Sequence, residues 1–191
     1  MEEITGTYTV GPESGRILLR TGRVGLAARA GHDLGIEVTR WSAEITVPAS
    51  GDGGAAFEDA TVTAELDLGS LAVREGSGGA KPLSDKDRRD IEAAARKMLG
   101  GGTDASARFV SSRVIPSGDG GVIEGTLALR GQSRPARLDV TRAAPGQFRA
   151  TATVRQTDFG ITPYSGFFGA LKVRDEIEVE ADVRLGPAVG Q

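Results

Sequence analysis

The sequence contains no cysteine and only one histidine among its 191 residues. Without cysteine, the chain cannot form a disulfide, a thiol nucleophile or a zinc site that uses a thiolate. A single histidine also excludes an HExxH motif and any centre that needs two histidines from one chain. We therefore expect no metal site and no cofactor.

The sequence also lacks an excess of basic residues and any long hydrophobic run. Lysine and arginine number 23 against 26 aspartates and glutamates, a net charge of −3 that argues against nucleic-acid binding. No run approaches the roughly 18 apolar residues of a membrane-spanning helix, so we expect no integral membrane segment. Residues 1–6 lack the basic and apolar parts of a secretory signal. This predicts a cytoplasmic protein, or a periplasmic or extracellular one if the chain is a processed mature form.

Apolar and polar residues alternate along most of the chain, which is typical of strands with one buried face. The alternation is clearest over residues 62–68, 148–154 and 177–185. It is weaker over residues 7–10, 16–21, 107–115, 122–130 and 136–141. Within residues 34–47 the apolar phase changes between Val38 and Trp41. This change predicts a bulge or sharp bend near Thr39 and Arg40 in a long strand.

One segment has helical periodicity. An apolar stripe with i, i+3, i+4, i+7 and i+8 spacing consists of Ile91, Ala94, Ala95, Met98 and Leu99. Ser84 is a suitable N-cap with Asp87 three residues later, so we predict an amphipathic helix over about 84–99. The glycine-rich stretch 74–79 lacks the ending of a phosphate-binding loop, and we interpret it as a flexible connector to Pro82 and the helix.

These elements predict one mainly β domain, 1–191. The expected fold is an antiparallel eight-stranded lipocalin-like β-barrel with one inserted amphipathic helix, and a β-sandwich is the alternative. The apolar strand faces carry few aromatic rings. Their small residues include Ala43, Ala64, Ala107, Gly125, Ala150, Ala152 and Ala181. If these faces line a barrel, they leave space for an elongated apolar ligand. Alternatively, they pack against the helix or mark tight corners.

Short segments spread over nearly the whole chain carry a family resemblance. They are residues 6–12, 40–47, 60–66, 107–112, 127–135, 157–161 and 173–177. In order and spacing they resemble the YceI-like family, a group of lipocalin-like barrels associated with binding isoprenoid lipids. The resemblance implies a barrel that shelters a prenyl chain.

Candidate ligand-binding residues come from the aromatic and charged positions near predicted turns. They are His32, Trp41, Phe159, Tyr164, Phe167, Phe168, Leu171 and Arg134. His32 could orient a polar head group at the barrel mouth, or simply bond to backbone. The loop 164–171 could form a lid or portal, or plug the barrel end. Arg134 and Lys81 could pair with a ligand phosphate, or be solvated surface charges.

Three hypotheses of function follow. The leading one is a non-enzymatic carrier or sequestration protein for an apolar small molecule, with no catalytic residue assigned. The second is a barrel enzyme, such as an isomerase or cyclase, with His32, Asp33 and Asp158 as acid–base candidates. Convergence of these groups on one cavity would favour it, although Asp158 is better interpreted as a carboxylate that binds loop amides. The third is a packed interaction module. A homodimer is an open alternative in each case.

Overall fold

A computed structural model describes residues 4–51, 53–100 and 105–186, with the exception of the Phe167 side chain. Strands dominate this part of the chain. They are β1 (Gly6–Val10), β2 (Gly15–Thr21), β3 (Arg23–Val24), β4 (His32–Val38), β5 (Trp41–Val47), β6 (Thr61–Asp67), β7 (Leu71–Gly78), β8 (Ser106–Ser117), β9 (Gly120–Leu129), β10 (Gln132–Ala144), β11 (Gln147–Arg155), β12 (Ser165–Gly166), β13 (Leu171–Val173) and β14 (Glu176–Arg184). The α-helix α1 spans Asp85–Met98, and short 3-10 turns cover Ala28–Ala30, Phe57–Asp59, Leu68–Ser70, Gln156–Phe159 and Phe167–Gly169.

Eleven of these segments form one curled antiparallel sheet in the order β1-β5-β6-β8-β9-β10-β11-β14-β2-β4-β7. Three pairs of consecutive segments, β1 with β2, β4 with β5 and β6 with β7, are separated only by a tight turn or bend. Counted as single bent strands, they reduce the eleven segments to eight. Because β1 pairs with β5 while its continuation β2 pairs with β14, the sheet curls round on itself. The predicted antiparallel lipocalin-like barrel is confirmed.

The bend predicted at Thr39 and Arg40 separates β4 from β5. Ser70, which is 6% exposed, holds it in place from the neighbouring bend between β6 and β7. The Arg40 amide donates to Ser70 Oγ at 2.9 Å, and the Thr39 hydroxyl donates to the Ser70 carbonyl at 2.8 Å. Ser70 Oγ in turn donates to the Asp67 carbonyl at 2.6 Å. The two long strands therefore turn their corners together.

Helix α1 begins where the sequence predicts. Ser84 Oγ accepts from the Asp87 amide at 3.2 Å, while the Ser84 amide donates to Asp87 Oδ2 at 2.9 Å. This capping box satisfies amides that the first turn would otherwise leave unpaired. The Asp87 carboxylate accepts from the Ser84 hydroxyl at 2.6 Å and from the Ser84 amide, and these two bonds lower the pKa of the Asp87 carboxyl below its ordinary range.

The prediction of a flexible connector over residues 74–79 is wrong, because most of these residues belong to strand β7. Strand β7 pairs with β4, and arginines on the outer face of the sheet form ion pairs with glutamates of these two strands. Arg20 forms an ion pair with Glu75, and Arg74 forms one with Glu37. Long-range pairing therefore overrides the low strand propensity of glycine and serine. The small sheet β12-β13-β3 is also not predicted from the sequence.

Two apolar clusters form the core of the described residues. The larger cluster lies where β1, β2, β4, β5 and β7 meet and contains Val10, Ile17, Ile36, Val38, Trp41, Ala43, Leu71 and Val73. The smaller cluster contains Leu68, Ala107, Leu129, Phe159 and Ile161. Many other inward side chains are only half-buried. Since they belong to the inner face, the space they contact lies inside the barrel.

Candidate functional site

The barrel encloses an apolar cavity of about 1100 Å³. Its wall comes from the inner faces of the strands and from one face of α1. Six of the seven small residues identified in the sequence line it: Ala43, Ala64, Ala107, Ala150, Ala152 and Ala181. The seventh, Gly125, does not line the cavity, so this part of the prediction is wrong. The Phe109 ring and the Val110 carbonyl occupy the space where a side chain at position 125 would be.

The cavity exists because small side chains face one another across neighbouring strands. Ala150 of β11 lies opposite Ala181 of β14, and Ala43 of β5 lies opposite Ala64 of β6. Side chains directly opposite in an antiparallel pair are close enough to share one volume. Two alanines there leave unfilled a space that protein interiors ordinarily pack. The predicted under-filled interior is confirmed.

Helix α1 completes the wall beside β7, the last strand of the sheet order. Its apolar stripe faces the cavity, with lining residues Ile91, Ala94, Ala95, Met98 and Leu99. Polar side chains of the same helix satisfy the free edge of β7. Glu92 accepts from the Val73 amide at 2.8 Å, and Arg88 donates to the Val73 carbonyl at 3.0 Å. The helix therefore acts as both a cavity wall and a cover for a strand edge.

His32 lies at one rim of the cavity, at the start of β4. Its Nε2 is 2.8 Å from the Lys81 carbonyl, and its ring contacts the backbone of Gly79. Of the two roles considered for His32, orienting a ligand head group and bonding to backbone, this hydrogen bond corresponds to the second. His32 still borders the cavity, so it remains a candidate contact for a ligand.

Three other candidates also line the cavity. Trp41 is 8% exposed and contributes to both the core and the cavity wall. Tyr164 and Leu171 line the cavity at the His32 rim, where Leu171 contacts Gly31. Leu171 belongs to β13, which pairs with β3 and β12. The loop 164–171 thus forms a small sheet at the rim.

The remaining candidates lie away from the cavity lining. Phe159 is buried in the smaller core cluster, and Phe168 is fully exposed at a positive φ of 53°. Arg134 is exposed and donates to the Ser133 carbonyl at 2.9 Å and to Gln132 at 3.2 Å. The role of these three residues as ligand contacts stays a prediction. The side chain of Phe167 lies outside the described structure.

The acid–base candidates do not converge. His32 lines the cavity, whereas Asp33 accepts from the Arg23 amide at 2.9 Å and Asp158 is exposed on a 3-10 turn. Neither aspartate contributes to the lining. The arrangement therefore provides no acid–base pair across the cavity from these residues.

The carboxylate that binds the loop amides is Asp175 rather than Asp158. Asp175 accepts from the Thr157 amide at 2.8 Å and from the Thr157 hydroxyl at 2.6 Å. These bonds from Thr157 hold the pKa of the Asp175 carboxyl below its ordinary range. The structural role expected of Asp158 exists in the loop, but a residue from the following turn performs it.

Polar residues that were not selected from the sequence border the two ends of the cavity. Those at the His32 rim are Arg23, Asp87, Asp90 and Lys172, joined there by Lys81. Asp119 and Arg142 lie at the opposite end, where β10 and β11 meet the β8–β9 hairpin. The strand ladder between the ends, from Phe148 to Val154 of β11, is about 20 Å long. Extending the alternation of residues 136–140 by one step would have identified Arg142.

The described residues show no group of three or more side chains arranged to hold a metal ion. Within the same ranges, no helix has the length and apolarity needed to cross a membrane. The polar contribution to the cavity is confined to its two ends. The geometry is suited to holding one elongated apolar molecule.

A curled antiparallel β-barrel with an internal apolar cavity is typical of the class of lipocalin-like barrel proteins. The YceI-like domain model matches residues 8–185, so the chain belongs to the YceI-like family. The structure resembles BcnA of Burkholderia cenocepacia with a TM-score of 0.62, 17% sequence identity and coverage of 91% of this chain and 96% of that chain. A YceI protein of Campylobacter jejuni matches with a TM-score of 0.47, 15% identity and coverage of 78% and 84%. No curated protein matches the sequence.

Proposed function

We propose that this protein binds a single elongated apolar molecule, an isoprenoid-like lipid, and carries or sequesters it inside the barrel. The observation that supports this most directly is the apolar cavity of about 1100 Å³. Small-molecule sites are ordinarily about 300–1,000 Å³, so the volume is sufficient for a long chain. Burial of hydrocarbon is worth about 0.8 kcal/mol per CH₂ before the costs of binding, and it would supply most of the affinity.

The shape of the cavity supports a chain rather than a compact ligand. Its two polar ends are about 20 Å apart along the strands, and the wall between them consists of aliphatic and small side chains. A prenyl chain is long, apolar and flexible, which matches such a wall. Membership of the YceI-like family, and the isoprenoid binding implied by the resemblance, support the same class.

Carrier function is favoured over the two other hypotheses. An enzyme of the kind considered would need His32, Asp33 and Asp158 near one another, and the latter two lie off the cavity lining. A fully packed interaction module is inconsistent with the internal volume. The cytoplasmic location and the homodimer stay predictions.

Native mass spectrometry of protein purified without detergent, followed by lipid extraction, tests this function. We expect an adduct with the mass of one lipid, which the extract identifies as a prenyl compound. Delipidated protein should bind added farnesol with one-to-one stoichiometry. Absence of both a co-purified lipid and farnesol binding would contradict the proposal.

A matched pair of variants locates the binding inside the barrel. Ala152 lines the cavity, while its neighbour Thr153 is exposed on the outer face of β11. Ala152→Phe places a ring in the cavity and should weaken farnesol binding at least about tenfold, an effect of about 1.4 kcal/mol. Thr153→Phe adds the same ring outside and should leave binding unchanged. Equal effects of the two variants would place the ligand elsewhere.

A further inference from the structure

Arg142 is a charged residue that continues the cavity-lining face of β10, on which positions 136, 138 and 140 are apolar. Along β10 the residues before it in the same phase, Ala136, Leu138 and Val140, all line the cavity, as does Arg142 itself. The intervening residues 137, 139 and 141 are exposed. A register shift between Arg142 and Ala144 follows immediately, and such bulges change the direction of a side chain. The strand therefore places a guanidinium group at one end of the cavity.

Among the described residues, the Arg142 side chain has neither an ion pair nor a hydrogen-bond partner. Its backbone amide donates to the Asp119 carbonyl at 2.8 Å, but the two side chains form no ion pair. The outward arginines nearby are different. Arg137 pairs with Asp139 at 3.0 Å, and Arg149 pairs with Asp182 at 2.7 Å. The inward guanidinium thus keeps all its donors available, although half-burial deprives it of part of its hydration.

The cationic groups at the opposite rim either already form hydrogen bonds within the protein or are exposed to solvent. Arg23 donates to the carbonyls of Gly31 and Ser77, and its amide bonds to Asp33. His32 bonds to backbone. Lys81 and Lys172 line that rim but are exposed. The end formed by Arg142 is therefore the better equipped of the two to bind an anion.

We propose that Arg142 binds the anionic end of the ligand, so that the protein takes up chains that end in a carboxylate or a phosphate monoester. This inference rests on the proposed function, since it assumes that the cavity holds a chain. A guanidinium group donates two parallel hydrogen bonds to a carboxylate or phosphate, which gives direction as well as affinity. The hydrocarbon then extends along Val140, Leu138 and Ala136 towards the His32 rim.

The test compares probes of equal chain length that differ only in charge. Dodecanoate, dodecyl phosphate and dodecan-1-ol compete below their micellar concentrations with a fluorescent apolar probe for the full-length protein. We expect the wild type to bind the two anions at least about tenfold more tightly than the alcohol. Arg142→Gln should abolish this preference by weakening anion binding and leave the affinity for the alcohol within about twofold. A preference confined to one anion would distinguish fatty acid from phosphate as the source.

Two variants serve as comparisons. Arg137→Gln removes a cation from the outer face of the same strand and should change nothing. Lys81→Gln combined with Lys172→Gln removes the exposed cations of the other rim and should keep the preference. If Arg142→Gln proves unstable, Arg142→Lys retains the charge without the paired donors and should reduce the preference only in part.

The outcomes separate this inference from the proposed function. Equal affinity of the wild type for the anions and the alcohol would overturn the proposed anion site, but it would not contradict the binding of an apolar chain inside the barrel. A preference lost in the lysine double variant but kept in Arg142→Gln would move the anion to the His32 rim and overturn the inference. Failure of every probe, farnesol included, would overturn both.

Discussion

Glu92 of helix α1 accepts a hydrogen bond from the backbone amide of Val73 in β7 at 2.8 Å. This bond joins the helix to a strand edge that has no strand neighbour in the described part of the chain. Free strand edges tend to pair with other chains, and proteins protect them with charged groups or a covering helix. Here the Glu92 carboxylate is the charged group, and the helix to which it belongs covers the edge and also forms part of the cavity wall.

Replacement of Glu92 tests this cover. Glu92→Ala leaves the part-buried Val73 amide without its acceptor and should lower the free energy of unfolding by about 1–3 kcal/mol, measured by urea denaturation. Glu92→Gln retains a carbonyl acceptor of similar length and should cost less. Equal losses in the two variants would indicate that the ion pair with Arg96 matters instead of the amide bond.

The bend between β6 and β7 should make stability depend on pH. The Arg40 guanidinium hydrogen bonds to Asp67 and, with the Gly69 amide, lowers the pKa of the Asp67 carboxyl from its ordinary value of 3.8. A lowered folded pKa means that the carboxylate stabilises the folded state fully above about pH 4. This contribution is lost as the pH falls through the folded pKa.

The Asp67→Asn variant measures that contribution. It should be less stable than the wild type at pH 7 by about 1 kcal/mol or less, because the ion pair is partly exposed and screened. The difference should shrink as the pH falls below 4, as followed by thermal or urea unfolding at several pH values. A difference that grows on acidification would contradict the assigned direction.

Trp41 is the single tryptophan of the chain, and it lines the cavity with little exposure to solvent. We expect a brominated fatty acid to quench its fluorescence in a saturable, one-to-one manner, because a bound chain would bring bromine close to the indole. The unbrominated acid should not quench. Ala152→Phe should weaken the quenching titration in parallel with farnesol binding. Quenching that is linear and never saturates would indicate collision outside the barrel.

The 3-10 turn after β11 allows a comparison of two aspartates: Asp158 belongs to the turn, whereas Asp175 binds it from the segment between β13 and β14. Asp175→Ala removes the acceptor of the Thr157 amide and hydroxyl, and should lower the unfolding free energy by about 1 kcal/mol. Asp158→Ala alters an exposed side chain and should change it by about 0.5 kcal/mol or less. A larger loss for Asp158→Ala would restore the role that was first expected of that residue.

Local periodicity was sufficient to predict most of the strands, helix α1 and its capping box. The same information failed for β7, where Gly76, Ser77 and Gly78 have low strand propensity and only pairing with β4 makes them extended. It also could not distinguish the surroundings of the candidate aromatics. Phe159 and Phe168 follow the same turn-rich pattern in the sequence, yet one is buried in a core cluster and the other is fully exposed.

The order of the amino acids was enough to predict which residues share a face, because alternation along a strand is a local property of the backbone. It therefore indicated that Ala150 and Ala152 belong to the same apolar face. What such faces enclose depends on how distant strands pair in the fold. Ala150 lies opposite Ala181 because strands separated in the chain pair in one register, and the ring of pairings encloses a volume that these small side chains leave unfilled. Long-range pairing, which no local pattern encodes, turned an apolar face into a cavity with an arginine at its end.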